Sequence, residues 1–184
     1  MYSKFELIGA AISVGFMALA IYLTQVHTTL FKPVSQVQTA QVIEAERVGV
    51  IVVDNTDDVQ TARARAYREA IDSNGNFNSM VIDDIKIGTG EAVKEGDLVA
   101  VHYIGTLQDG GAEFDNSHKR GTPFEFEVGA GMVIKGWDEG LVGMKVGGQR
   151  VLVIPPDMAY GEQGIGPIPP NATLVFAIEL IEIK

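Results

Sequence analysis

The chain has 184 residues, a formal net charge of −10, 46% hydrophobic and 21% charged residues, and no cysteine. That length holds one ordinary domain plus something more, and the composition can bury a core, which excludes wholesale disorder. The acidic balance, with no clustered basic face, excludes nucleic acid as a partner, and the missing thiols exclude disulfides, thiolate catalysis and zinc–thiolate sites.

Leu7 to Leu23 reads LIGAAISVGFMALAIYL, 17 consecutive uncharged residues, and with His27 neutral no charge follows until Lys32. About 20 apolar residues cross a bilayer, with a range of roughly 17 to 25. A buried core helix would carry a polar stripe, which this run lacks. A cleaved signal peptide would end at a small-residue site; Thr24-Gln25-Val26-His27 offers none, and Ala18-Leu19-Ala20 lies inside the run. Residues 1–32 are therefore expected to form an uncleaved, single-pass transmembrane anchor. Lys4 and the amino terminus against Lys32 favour a cytoplasmic N-terminus, which would put the rest of the chain outside the cytoplasm.

Residues 33–79 read as a stalk. Val48 to Val53 is a short β-branched strand, and Asp54-Asn55-Thr56 supplies cap residues for a following helix. In that helix Val59, Ala62, Ala66 and Ala70 share one face, while Arg63, Arg65, Arg68 and Glu69 lie mostly elsewhere. It is expected to end near Asp72, where Ser73-Asn74-Gly75-Asn76 is turn chemistry. A docking or dimerisation role for this helix is the alternative to a plain spacer.

From residue 80 to 184, short β-rich runs alternate with glycine turns: VIDDIKIG, DLVAVHYIGTL, PFEFEV, QRVLVI and ATLVFAIELIEI. One segment, IKGWDEGLVGM, has helical character. The pattern predicts an α+β domain in which a curved antiparallel sheet wraps a single short helix.

Familiar catalytic sets are missing. His27, His102 and His118 share no metal-ligand spacing, and none sits beside a serine in a nucleophile elbow. The glycine pairs at 88–90 and 129–131 lack the remainder of a nucleotide fingerprint. Asn171-Ala172-Thr173 is formally a glycosylation sequon but reads more simply as a turn into the last strand. No metal or cofactor is expected. What stands out instead is a set of aromatics near turns: Tyr103, Phe114, Phe124, Trp137, Tyr160 and Phe176. Taken singly, each is most simply core packing.

In order, they form a longer pattern. Val101-His102-Tyr103-Ile104-Gly105, Phe114-Asp115-Asn116-Ser117 and Pro123-Phe124-Glu125-Phe126 are followed by Gly129 to Trp137 (GAGMVIKGW), Ala159-Tyr160-Gly161 and Ile168 to Phe176 (IPPNATLVF). This series resembles the FKBP family of peptidyl-prolyl isomerases over roughly residues 80 to 184. The resemblance implies a half-barrel around one short helix, with an apolar pocket for a prolyl ring or for macrolides such as tacrolimus and rapamycin. Position by position, it implies a pocket of Tyr103, Phe114, Asp115, Phe124, Val133, Ile134, Trp137, Tyr160, Ile168 and Phe176, with Trp137 as its floor and Arg120 paired to Asp115. It further implies that the Ile134 N–H and the Tyr160 hydroxyl donate to substrate carbonyls, and that Asp115, held by Tyr103 and Arg120, lies close to the twisting bond.

Such a pocket can catalyse without a nucleophile. Twisting an X–Pro bond costs about 18–20 kcal/mol, and uncatalysed exchange takes tens to hundreds of seconds. Resonance is lost at the twisted state, which is less polar than the planar one, so a dry apolar site stabilises it selectively. The expected partners are proline-containing polypeptides, and the expected role is assistance to protein folding. A non-catalytic module that holds proline segments or acts as a chaperone is the alternative, though it would be expected to lose Asp115, Tyr160 or Trp137.

Two departures from the family pattern bear on specificity. One extra residue follows Gly110 in Asp109-Gly110-Gly111-Ala112-Glu113, and the loop from Tyr160 to Pro169 is one residue short, with Ile165 near a common ligand-contact position.

Overall fold

The computed structural model describes residues 50–52 and 59–184. Its elements are β1 (Val50–Val52), α1 (Val59–Glu69), β2 (Met80–Lys86), β3 (Leu98–Leu107), β4 (Glu113–Asn116), α2 (Ser117–Arg120), β5 (Phe124–Glu127), α3 (Lys135–Gly140), β6 (Gln149–Ile154) and β7 (Leu174–Ile183). A 3-10 turn at Pro156–Met158 follows β6. The strands make one seven-stranded sheet in the order β1-β2-β6-β7-β3-β4, with β5 also paired to β3.

Every pairing is antiparallel except β1 with β2, which is parallel. The antiparallel expectation for residues 80–184 thus holds for every pairing within them, and the parallel pair is made with a strand from the segment before them. The chain between β1 and β2 includes α1, and a crossover of that length is what a parallel pair requires.

Two cores sit on the two faces of the sheet, and strand periodicity assigns each side chain to one of them. In β6, Leu152 and Ile154 join the larger cluster, while Val151 and Val153 join the smaller one. In β7, Leu174, Phe176, Ile178 and Leu180 face the larger core and Val175 faces the smaller. This explains why QRVLVI is a nearly unbroken apolar run: β6 is buried along its whole length because both faces are covered.

The smaller core is closed by α1, whose Ala66 and Tyr67, with Ala70 and Phe77 just beyond, pack on Val81, Val151, Val153 and Val175. Residues 50–52 and 59–79, expected to be part of a stalk, therefore contribute an edge strand and a covering helix to the folded unit. The alanine face predicted for the helix is the face that packs. Arg63, expected on the polar side, instead turns toward the sheet, its Nε 2.8 Å from the buried Asp83 carboxylate. Among the described residues Arg63 Nε has no hydrogen-bond partner, so its contact with Asp83 Oδ2 is an ion pair.

The larger core is closed by α3. A Cβ on Gly136 would lie 2.5 Å from Ile154 Cγ2, and one on Gly140 would lie 2.8 Å from Leu152 Cδ1. These two glycines, one turn apart, let the helix lie directly on β6. Arg150 fastens the arrangement: its Nε and Nη2 donate to Asp84 at 2.7 and 2.9 Å, and its Nη1 donates to the Gly140 carbonyl at 2.7 Å.

The anchor expected at residues 1–32 and the cap cluster Asp54-Asn55-Thr56 lie outside the described residues. No helix among the described residues is long and apolar enough to cross a membrane.

Candidate active site

Trp137 sits on α3, 4% exposed, at the centre of an aromatic cluster drawn from four strands. Tyr103 meets it edge-on at 4.9 Å between ring centres, Phe176 at 5.2 Å, and Phe124 at 6.1 Å. Phe114 stands edge-on to Phe176 at 5.5 Å. These are the edge-to-face geometries that aromatic quadrupoles favour. Phe124 remains 37% exposed while Trp137 below it is buried, so the cluster is open at the Phe124 side. The buried indole Nε1 has no hydrogen-bond partner among the described residues.

The polar side of the site is built on two segments. Tyr103, from β3, donates its hydroxyl proton to Asp115 in β4, one residue before the Asn116 that caps α2. Arg120, at the end of α2, donates to the other Asp115 oxygen and, at 2.8 Å, to the Tyr103 hydroxyl. The Asn116 N–H also reaches Asp115 Oδ1 at 2.7 Å. For Asp115, desolvation is the largest single influence and pushes its pKa up. The hydrogen bonds from Tyr103, Arg120 and Asn116 together outweigh it and hold the carboxyl below the usual range. Burial, then the bond to Asp115, pushes Tyr103 up to about 12, so it is a donor throughout the neutral range. Tyr160, 38% exposed, has its hydroxyl pKa raised, first by partial burial and then by the Asp115 charge.

Val133 and Ile134 pack against the larger core from the loop before α3. Ile134 is the extended residue preceding the helix, and its carbonyl accepts from Trp137 N–H at 2.9 Å. Its own N–H has no acceptor among the described residues. Asp138 ties this loop to the helix, accepting from Gly129 N–H at 2.8 Å and Gly131 N–H at 3.0 Å.

The loop after Tyr160 is fixed rather than loose. Ile165 and Ile168 exchange two backbone hydrogen bonds, at 3.0 and 2.8 Å, and Asn171 N–H reaches the Gly161 carbonyl at 2.8 Å. This turn buries Ile168 in the larger core and leaves Ile165 exposed.

The structure thus gathers Tyr103, Phe114, Phe124, Trp137 and Phe176, the Asp115–Tyr103–Arg120 set, and the apolar Val133, Ile134 and Ile168 around one core, while the more exposed Tyr160 is not one of the residues packed in it. Two further contributors escaped the sequence reading. Phe126, 2% exposed, stacks on Phe124 at 5.6 Å and supports Trp137 at 5.5 Å. Its signal was the strict alternation of PFEFEV, which puts Phe124 and Phe126 on one face. Gly105 is the other: a Cβ there would lie 2.8 Å from Phe114 and 2.9 Å from Phe176. A glycine inside a strand is the sign of such a close approach.

The arrangement can enclose a small apolar ring, offer one backbone donor, and hold a charged carboxylate at the edge. Among the described residues no group of side chains could hold a metal ion.

Comparison with known proteins agrees with this geometry. The sequence model of the FKBP-type peptidyl-prolyl cis-trans isomerases matches residues 89–181. The chain is 60% identical over 90 residues to FK506-binding protein 2 of Emericella nidulans, covering 49% of this chain and 67% of that protein. It is 55% identical over 105 residues to FK506-binding protein 4 of Neurospora crassa, covering 57% of this chain and 22% of that one. The chain therefore spans about two thirds of the former and about a fifth of the latter. Among solved structures, AtFKBP13 matches with a TM-score of 0.55 at 38% identity, covering 62% of this chain and 98% of that one. FkpA from Escherichia coli matches with a TM-score of 0.53 at 40% identity, covering 68% of this chain and 66% of that one. The chain belongs to the FKBP-type peptidyl-prolyl cis-trans isomerase family, and its activity is rotation about X–Pro peptide bonds.

Proposed function

We propose that the prolyl ring of a polypeptide stacks over Trp137, inside the wall formed by Tyr103, Phe114, Phe124 and Phe176, and that rotation is catalysed there by desolvation. The observation that carries this reading is an aromatic well with a buried floor, beside an Ile134 N–H that has no acceptor among the described residues and a carboxylate held by Tyr103 and Arg120. The Ile134 N–H supplies a donor to a substrate carbonyl beside the proline, and the Tyr160 hydroxyl supplies a second. These bonds hold the flanking chain while the amide turns. The apolar wall withholds the water that favours the planar, more polar amide, so the twisted state gains relative to the ground state. Asp115, fixed by Tyr103 and Arg120, presents its charge to the bond as its electron distribution changes. No proton transfer or covalent intermediate is required. Members of this family bind proline-containing peptides and FK506-type macrolides, and both are expected to compete for this pocket.

The uncharged run Leu7–Leu23 supports a single-pass anchor in residues 1–32 that holds the isomerase domain at a membrane, on its extracytoplasmic side. Substrates there would be unfolded or newly translocated chains. Protease protection of the domain in intact cells tests the side: digestion from outside supports this placement, and protection until lysis contradicts it.

A further inference from the structure

Ser117 has no exposed surface, and its hydroxyl does unusual work. It accepts the Tyr103 N–H at 2.8 Å and lies 3.3 Å from the Tyr103 carbonyl. The backbone ladder between β3 and β4 runs Thr106↔Glu113, Gly105↔Asp115, Ile104↔Asn116. The next rung would join Tyr103 to residue 117, but there β4 has already turned into α2. One side-chain oxygen stands where a backbone rung would have been.

The two residues it joins belong to the two halves of the polar site. Tyr103 is on β3, whereas Asp115 and Arg120 are on the segment that Ser117 itself belongs to. Asp115 is two residues before Ser117, and Arg120 is three residues after it. The hydroxyl carries one proton, for which the Tyr103 carbonyl and His102 Nδ1, 3.0 Å away, compete. His118 stacks on His102 with ring centres 4.4 Å apart and planes within 16°.

We propose that Ser117 is a positioning residue for the isomerase: its hydroxyl fastens the Tyr103 backbone to the segment carrying Asp115 and Arg120 and so holds the tyrosine hydroxyl on the carboxylate. Ser117 itself touches no substrate. Its loss frees the two halves of the site to drift apart, and positional errors of this kind act on the transition state more than on binding.

The test compares Ser117→Thr with Ser117→Val in the full chain, because the two add the same bulk and differ only in the hydroxyl. Exchange of an X–Pro peptide followed by NMR gives kcat and KM separately, and thermal melting follows the fold. The expected result is a kcat about tenfold lower for the valine than for the threonine variant, with KM changed less than twofold. Tyr103→Phe should then cost less than twofold when added to Ser117→Val, because the hydroxyl it removes is already displaced. Equal kcat in the threonine and valine variants would overturn the proposal, and so would losses that multiply in the double variant. This role rests on the isomerase reading, and the two fail differently. An inactive parent chain defeats that reading, whereas an active parent with equal variants defeats only the role of Ser117.

Discussion

Tyr103 and Asp115 come from separate strands, yet the tyrosine hydroxyl donates directly to the carboxylate, and Arg120 bonds to both. Hydrogen bonds to a charged group contribute about 1.5–3 kcal/mol each, and neutral ones about 0.5–1.5 kcal/mol. Asp115→Val, which removes the hub of this set, is therefore expected to lower kcat/KM by about 10- to 100-fold. Tyr160→Phe removes one neutral donor, and the same arithmetic gives a loss of about 2- to 10-fold. Peptide isomerase assays on both variants check the order; equal rates for Asp115→Val and the parent would remove Asp115 from the mechanism.

The pH dependence follows from the direction of the Asp115 shift. Its folded pKa lies below the ordinary carboxylate value. The contribution of its charge is thus complete above that ordinary value and is lost only as pH falls through the lower, folded one. Tyr103 stays protonated up to about 12. Activity is expected to be flat from alkaline pH down to about 5, with any fall confined below about 4. An inflection between these limits and pH 7 that Asp115→Asn abolishes would contradict the assignment.

Trp137 is the chain's single tryptophan, so its fluorescence reports on the pocket alone. A proline-containing ligand that displaces water from the indole is expected to change both intensity and emission maximum. Trp137→Ala should cost about 3–5 kcal/mol of stability as a large-to-small core change. Trp137→Phe should cost less, partly because it removes a buried N–H that has no partner among the described residues. Denaturant melts of the two variants give the comparison.

Arg63 holds α1 on the sheet through Asp83. Burial, the dominant influence, raises the Asp83 pKa, with Arg63 opposing it. The charged form is thus less favoured in the folded chain than in the unfolded one, and the fold loses stability as pH rises through the folded pKa. Arg63→Met leaves that charge unpaired and is expected to cost about 3 kcal/mol at neutral pH. Adding Asp83→Asn to it should recover much of the loss. A double variant no more stable than Arg63→Met would show that charge burial is not the cause.

Removal of residues 1–79 uncovers Val81, Val151, Val153 and Val175 on the face opposite α3. Losing Tyr67 and Phe77 from that core forfeits about 1.5–3 kcal/mol for each side chain. The shortened chain is expected to melt earlier and to aggregate, while its folded fraction keeps the parent's kcat/KM. A melting point unchanged by the deletion would show that α1 contributes no stability.

Much of this architecture was legible because strands and pocket announce themselves in composition. The alternation of PFEFEV, the apolar QRVLVI and the glycine-flanked Trp137 each have one physical reading once set in order. The segment from Glu113 to Arg120 was harder. β4 and α2 are four residues each and mostly polar, so tertiary pairing rather than periodicity creates them. Ser117 was invisible as a clasp for the same reason, since nothing local shows a serine replacing a ladder rung. The helix after residue 58 was visible, but its partner was not. Its packing face is built mainly from alanines, and only the two-sided burial of β6 shows that a second layer must cover the sheet.

The most direct test of the central claim is exchange spectroscopy on an X–Pro peptide with catalytic amounts of the full chain, with Trp137 fluorescence recorded on the same samples. Binding should change the fluorescence, and cis–trans exchange should be accelerated well above the uncatalysed rate, with the acceleration largely lost in Asp115→Val. Peptide binding that alters Trp137 emission but leaves the exchange rate untouched would contradict catalysis by this pocket and leave a proline-binding module.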